Sequence, residues 1–163
     1  MFQKPGNDFI RMPEIVPIKI KKLSEEFNDI PLPSYSTSGS SGLDIRAAVI
    51  HDVIIPAGEL KLIPTNFSVE IPEGFEIQVR PRSGLAVKHG ISILNSPGTI
   101  DSDYRGEIKI ILMNLSREDF RILRGDRIAQ LVVSKVYKAE LLVSDELEES
   151  LRGSGGFGHT GKG

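Results

Sequence analysis

The chain has 163 residues, no cysteine, and 20 basic against 22 acidic side chains, for a formal net charge of −2. That length suits one domain around one core, and the lack of cysteine excludes disulfides and thiolate chemistry. The near-neutral balance argues against a dedicated nucleic-acid or membrane surface, where basic excess supplies affinity, so a phosphate site has to be a local pocket.

Residues 1–13 show no clear period, carry no apolar stretch of a secretory signal, and read as a loose arm. No apolar run reaches membrane-spanning length, and the cytoplasm is the expected compartment. Ile18-Lys19-Ile20-Lys21 alternates with period two, the pattern of a half-buried strand. Ser34 to Ser41 is rich in Ser, Thr and Gly and reads as a loop leading into a strand. Pro56-Ala57-Gly58 marks a turn. Phe67 to Ile71 alternates, Pro72-Glu73-Gly74 turns, and Phe75 to Arg80 alternates again. Ser83 to His89 has the length of two helical turns, with Ser83 as N-cap and Gly90 as stop. Ile108 to Met113 is a nearly continuous apolar run broken by Lys109, as a strand buried on both faces would be. Arg124-Gly125-Asp126 sits between apolar runs and reads as a turn. Ile128 to Val133 is a further strand, and Ser144 to Leu151 is acidic and helix-permissive on thin apolar content. Many short strands at this spacing indicate an all-β sandwich or barrel with one short helix. The expected layout is one domain, with a β core over 14–138 and a C-terminal arm over 139–163.

The arm ends in Arg152-Gly153-Ser154-Gly155-Gly156-Phe157-Gly158-His159-Thr160-Gly161, with five glycines in ten residues. Fixing ten backbones costs about 10–20 kcal/mol, against one large apolar side chain, so the free tail is expected to be mobile. Its parts nevertheless suit a ligand. Unshielded amides wrap phosphates, Arg152 forks onto phosphate oxygens, and Phe157 stacks on a flat ring. Gly153-x-Gly155-x-x-Gly158 matches the dinucleotide fingerprint in letters only, because no helix and no acidic residue about 20 positions on can follow.

Five segments carry the chemistry: Ser41 to Ala48, Pro81 to Ala86, Asn95 to Glu107 (NSPGTIDSDYRGE), Arg124 to Leu131, and the tail. In order, content and spacing they closely resemble the five motifs of the trimeric dUTP diphosphatases (dUTPases), over roughly residues 16–161. The resemblance implies a jelly-roll-like β-barrel that assembles as a homotrimer, the tail of one subunit closing a pocket built by two others. It implies hydrolysis of dUTP to dUMP and pyrophosphate with Mg²⁺, which limits uracil in DNA and supplies dUMP for thymidylate synthesis.

The same resemblance distributes the roles. Asp101 orients and deprotonates the attacking water, a task that needs placement within hydrogen-bond reach; Asp103 is the rival by chemistry alone. Asn95, Thr99, Ile100 and Lys109 hold the nucleoside, Tyr104 packs beneath the deoxyribose, and Phe157 stacks over uracil. A mismatched base in such a hydrogen-bonded site is rejected by roughly 10⁴–10⁵. Arg82, Ser83, Gly84, Gln130, Arg152, Gly155 and Gly156 grip the phosphates. No direct protein ligand to the metal is implied, Asp44 acting through water. Ser41 stands where the family usually has alanine. Arg105 and Glu107 read as structural. The related dCTP deaminases use a glutamate on the strand after the third motif, where this chain has Ile111, which moves no protons. A nucleotide-sensing homologue without turnover is the rival from another class, and the presence of Asp101, Arg152 and Phe157 argues against it.

Overall fold

Period-two alternation makes this chain a β-protein. The computed structural model describes residues 14–156. Its strands are β1 (Lys19–Lys22), β2 (Ser34–Tyr35), β3 (Leu43–Arg46), β4 (Val53–Ile55), β5 (Leu60–Pro64), β6 (Phe67–Glu70), β7 (Phe75–Arg80), β8 (Ile91–Ile93), β9 (Gly98–Ile100), β10 (Lys109–Asn114), β11 (Phe120–Ile122) and β12 (Arg127–Lys135). A single turn of 3-10 helix spans Glu25–Phe27, and α1 (Ser83–His89) connects β7 to β8. No helix among the described residues is long and apolar enough to cross a membrane.

Every strand pair is antiparallel. The largest sheet runs β2-β3-β12-β7-β9; the others are β5-β10-β8, β1-β6 and β11-β4. All strands except β1 and β2 send residues into one core, among them Ile45, Ile55, Ile63, Ile77, Ile110, Leu112 and Ile122. This is the jelly-roll-like architecture expected, sheets wrapped on a single apolar interior. The turns fall where the glycines stand: Gly58, Gly74 and Gly125 have φ of 77°, 85° and 81°, a region that costs a residue with a Cβ. In the Arg124-Gly125-Asp126 turn the Asp126 carboxylate accepts from the Leu123 amide at 2.8 Å. Arg124 forks onto Asp29 at 2.6 and 3.0 Å and lies 4.5 Å over the Phe27 ring, tying the turn to the 3-10 segment.

Four expectations need correction. The segment from Ser34 to Ser41 is not all loop, because Ser34 and Tyr35 pair with Asp44 and Leu43 of β3 and form β2. Ser83 is not the N-cap. Arg82 is, with extended backbone and no side-chain capping bond, and Ser83 is the first helical residue; Gly90 ends the helix in the left-handed region, as expected. Ser144 to Leu151 forms no helix. Among the described residues its carboxylates Asp145, Glu146, Glu148 and Glu149 form no salt bridge, Leu147 and Leu151 stay exposed, and an isolated helix of this length is marginal in water. Residues 108–113 are buried on one face only. Ile110 and Leu112 point into the core, while Ile111 and Met113 are half-buried and pair with the exposed Leu62 and Leu60 of β5. Covering that second face takes a layer that the described residues do not provide.

Candidate active site

The third motif builds a hairpin and a cleft. β9 pairs with β7 through Val79↔Gly98, Gln78↔Thr99 and Ile77↔Ile100. The turn before β9 contains a cis Ser96–Pro97 peptide. A Cβ on Gly98 would lie 3.0 Å from the Asn95 side-chain nitrogen and 3.3 Å from Val79 Cβ, so glycine is what lets the Asn95 amide lie against the strand. Asn95, Gly98, Thr99, Ile100, Asp101, Tyr104 and Lys109 line a cleft of about 370 Å³, with Leu62, Val79 and Ile111 as its apolar wall. Asp101 leaves the end of β9 and starts a tight turn, the Tyr104 amide donating to its carbonyl at 3.1 Å. It also borders a second cleft of about 610 Å³ lined by Glu73, Asp103, Arg105 and Lys138. Asp101 and Asp103 therefore open onto one ravine together with Glu73 and Glu76, but of the two candidate bases only Asp101 lines both clefts.

The far side of that turn is held by Glu107. Its carboxylate accepts from the Asn66 and Thr65 amides at 3.0 and 3.3 Å and meets Lys109 Nζ at 3.4 Å. The Tyr104 hydroxyl donates to the Glu107 carbonyl at 3.0 Å. Glu107 thus has the structural part expected of it, and that part anchors the cleft's tyrosine.

A second cluster forms where β3, β12 and α1 meet. Asp44 pairs with Gln130 across β3 and β12, and Gln130 pairs with Arg80 on β7. A Cβ on Gly42 would stand 2.8 Å from Gln130 Oε1, so this glycine makes room for the amide. The Asp44 carboxylate takes Arg82 Nε at 3.1 Å on one oxygen, and Arg127 Nη1 at 3.0 Å and the Ser36 hydroxyl at 2.9 Å on the other. Arg82 Nη1 also donates to the Arg127 carbonyl at 3.2 Å. Burial opposes ionisation of Asp44, but the Ser36 hydroxyl and the two guanidiniums outweigh it and hold its carboxyl below the usual carboxylate range. Arg127 was given no role in reading the sequence. A cation three positions before Gln130, on a strand paired with Asp44, was the available signal.

No cluster of three His, Cys, Asp or Glu side chains among the described residues makes a protein-only metal cage. A carboxylate offers about four acceptor positions, and Asp44 uses three of them, which leaves one for a metal-bound water. That donor set fits magnesium held chiefly by phosphates and its own waters. In α1, the amides of Ser83 and Gly84 belong to the first turn and have no intrahelical partner. A Cβ on Gly84 would meet nothing within 4 Å, so the backbone there is open to approach from outside.

Within one chain the expected site residues fall into two groups. Asn95, Thr99, Ile100, Asp101, Tyr104 and Lys109 share the 370 Å³ cleft. Arg82 and Gln130 gather around Asp44 and do not line it. Arg152, Gly155 and Gly156 form a turn closed on itself, Arg152 Nε donating to the Gly155 carbonyl at 2.7 Å, and line neither cleft. Phe157 lies outside the described residues.

The dUTPase family model matches residues 28–161. The chain is 51% identical over 144 residues to deoxyuridine 5'-triphosphate nucleotidohydrolase of Thermoanaerobacter sp., covering 88% of this chain and 97% of that protein. It is 56% identical over 147 residues to the protein of the same name from Rickettsia canadensis, covering 90% and 98%. Among solved structures, the Staphylococcus bacteriophage 80alpha dUTPase with dUPNHPP superposes with a TM-score of 0.77 at 28% identity, over 89% of this chain and 98% of that one. The chain belongs to the dUTPase family of nucleotide hydrolases.

Proposed function

We propose that the protein hydrolyses dUTP to dUMP and pyrophosphate, limiting uracil incorporation into DNA and supplying dUMP for thymidylate synthesis. The observation that carries this is one cleft in which Asn95, Asp101 and Tyr104 stand together on the β9 hairpin and the turn that follows, in a chain of this family.

Asn95 and the strand edge at Thr99 and Ile100 read the uracil, and the tight hairpin leaves no space for a 5-methyl group. Cytosine presents the inverted donor and acceptor pattern and leaves buried groups unpaired, which costs more than a lost contact. Tyr104 walls off the sugar, and Lys109 contacts the nucleoside from the next strand. Asp101 accepts a proton from a water as the water oxygen bonds to the α-phosphorus. The bond to the bridging oxygen breaks in line and pyrophosphate leaves with its electron pair. Arg82, Ser83, Gly84 and Gln130 fix the phosphate chain, so positioning and electrostatics carry the acceleration. Asp44 would hold magnesium through a water, and the ion would supply neutralisation of the charge on the leaving pyrophosphate.

The active form is a homotrimer with shared sites. Three features support this: the nucleoside and phosphate groups lie apart in one chain, the face of Leu60, Leu62, Ile111 and Met113 is only partly covered by the described residues, and Leu141, Leu142 and Val143 are exposed on the arm. The arm brings Arg152, Gly155, Gly156 and Phe157 over a neighbour's cleft. Deamination of dCTP is the rival reaction, and Ile111 on the cleft wall offers no proton relay for it. Equilibrium binding of a non-hydrolysable dUTP analogue to Asn95→Ala tests the assignment of the cleft. A loss of about 10-fold or more is expected, and unchanged affinity would move the nucleoside elsewhere.

A further inference from the structure

Gly106 stands in the turn behind Tyr104, and its backbone is outside the left-handed region, so conformation alone does not ask for glycine there. What asks for it is the tyrosine. A Cβ at position 106 would fall on the Tyr104 hydroxyl, 2.6 Å from Cζ and 3.0 Å from Cε2. Carbon atoms repel steeply inside about 3.5 Å, so with a side chain at 106 the half-exposed tyrosine has to swing away. The ring is held at that same end by the 3.0 Å bond its hydroxyl donates to the Glu107 carbonyl. That carbonyl belongs to a rigid frame, because the Glu107 side chain holds the Asn66 amide and the next residue's amide donates to the Phe67 carbonyl at 2.9 Å.

We propose that Gly106 is a specificity-determining positioning residue: its missing side chain lets the Tyr104 ring fold back onto the turn and sets the wall that rejects a 2′-hydroxyl. The proposal rests on the reading of Tyr104 as the sugar-facing wall. Any side chain at 106 lifts the ring off its anchor and moves that wall, although residue 106 never touches substrate.

The test is a double-mutant cycle on the full-length chain, reading the ratio of kcat/KM for dUTP to that for UTP. Tyr104→Ala alone should lower the ratio at least 10-fold. Gly106→Ala should lower it comparably, whereas Gly106→Ala added to Tyr104→Ala should change it less than twofold, because the ring it collides with is gone. If Tyr104→Ala leaves the ratio intact, the sugar-wall reading fails. If Tyr104→Ala lowers the ratio and Gly106→Ala does not, or if the two effects multiply, the inference about Gly106 fails alone. Should Gly106→Ala not fold, the double variant decides: melting like Tyr104→Ala supports the collision, and failure of both overturns it.

Discussion

Replacing Asp44 with asparagine removes the charge between two arginines and keeps the side chain's shape. Asparagine retains a carbonyl for the Ser36 hydroxyl but offers a guanidinium an NH₂ group in place of an oxygen. The Arg82 contact is the stronger one, between side chains 22% and 11% exposed; a hydrogen bond to a charged group of that kind contributes about 1.5–3 kcal/mol. Arg127 is 45% exposed, and solvent reduces its share to about 0–1 kcal/mol. The sum is a loss of about 1.5–4 kcal/mol near pH 7. Because the folded carboxyl titrates below the ordinary value of 3.8, its stabilisation is present above that value and is lost as pH falls through the folded one. Urea unfolding of both proteins should therefore show a constant gap from about pH 7 to about pH 5 that closes once the pH falls below the ordinary carboxylate value. A gap that persists at the acid end would mean that shape, not charge, holds the cluster. The released Arg82 should also cost about 10²-fold in kcat/KM.

Asp101→Ala is expected to abolish pyrophosphate release while leaving dUTP binding, measured calorimetrically, within a few-fold; lost binding would make Asp101 a wall of the pocket. Removing residues 152–163 should cut turnover severely with unchanged melting and oligomer mass, and unaltered kinetics would strip the tail of its role. Asn114 is fully buried, donating to the Ile55 and Glu118 carbonyls at 2.8 Å each and accepting from the Ser116 amide and hydroxyl at 3.0 and 2.8 Å. Asn114→Ala should cost about 3 kcal/mol or more and lower Tm by about 6–12 °C; a smaller shift in a thermal melt would mean water replaces the amide.

The strands were legible because their signal is local. Phe67 to Ile71 and Phe75 to Arg80 state their period in five or six letters, and Gly58, Gly74 and Gly125 mark the turns whose backbones need them. The grouping of Asn95, Asp101, Tyr104 and Lys109 in one cleft was legible for the same reason, since Asn95 to Lys109 form one hairpin and its exit. What the letters hid is non-local. Asp44, Arg82 and Arg127 meet only because β3, α1 and β12 converge, so the ion network reads as scattered charges. The run at 108–113 has the composition of a strand covered on both faces, and composition says nothing of whether the covering layer belongs to the same chain. Ser83 looked like a cap by residue type, but the cap is chosen by backbone geometry, which Arg82 supplies.

The central claim is tested most directly by incubating the purified full-length protein with Mg²⁺ and, separately, dUTP, dCTP, dTTP and UTP, and measuring pyrophosphate, nucleoside monophosphate and ammonia. Pyrophosphate and dUMP from dUTP alone are the predicted result. Ammonia from dCTP, or tight dUTP binding with no product from any of the four, would contradict it.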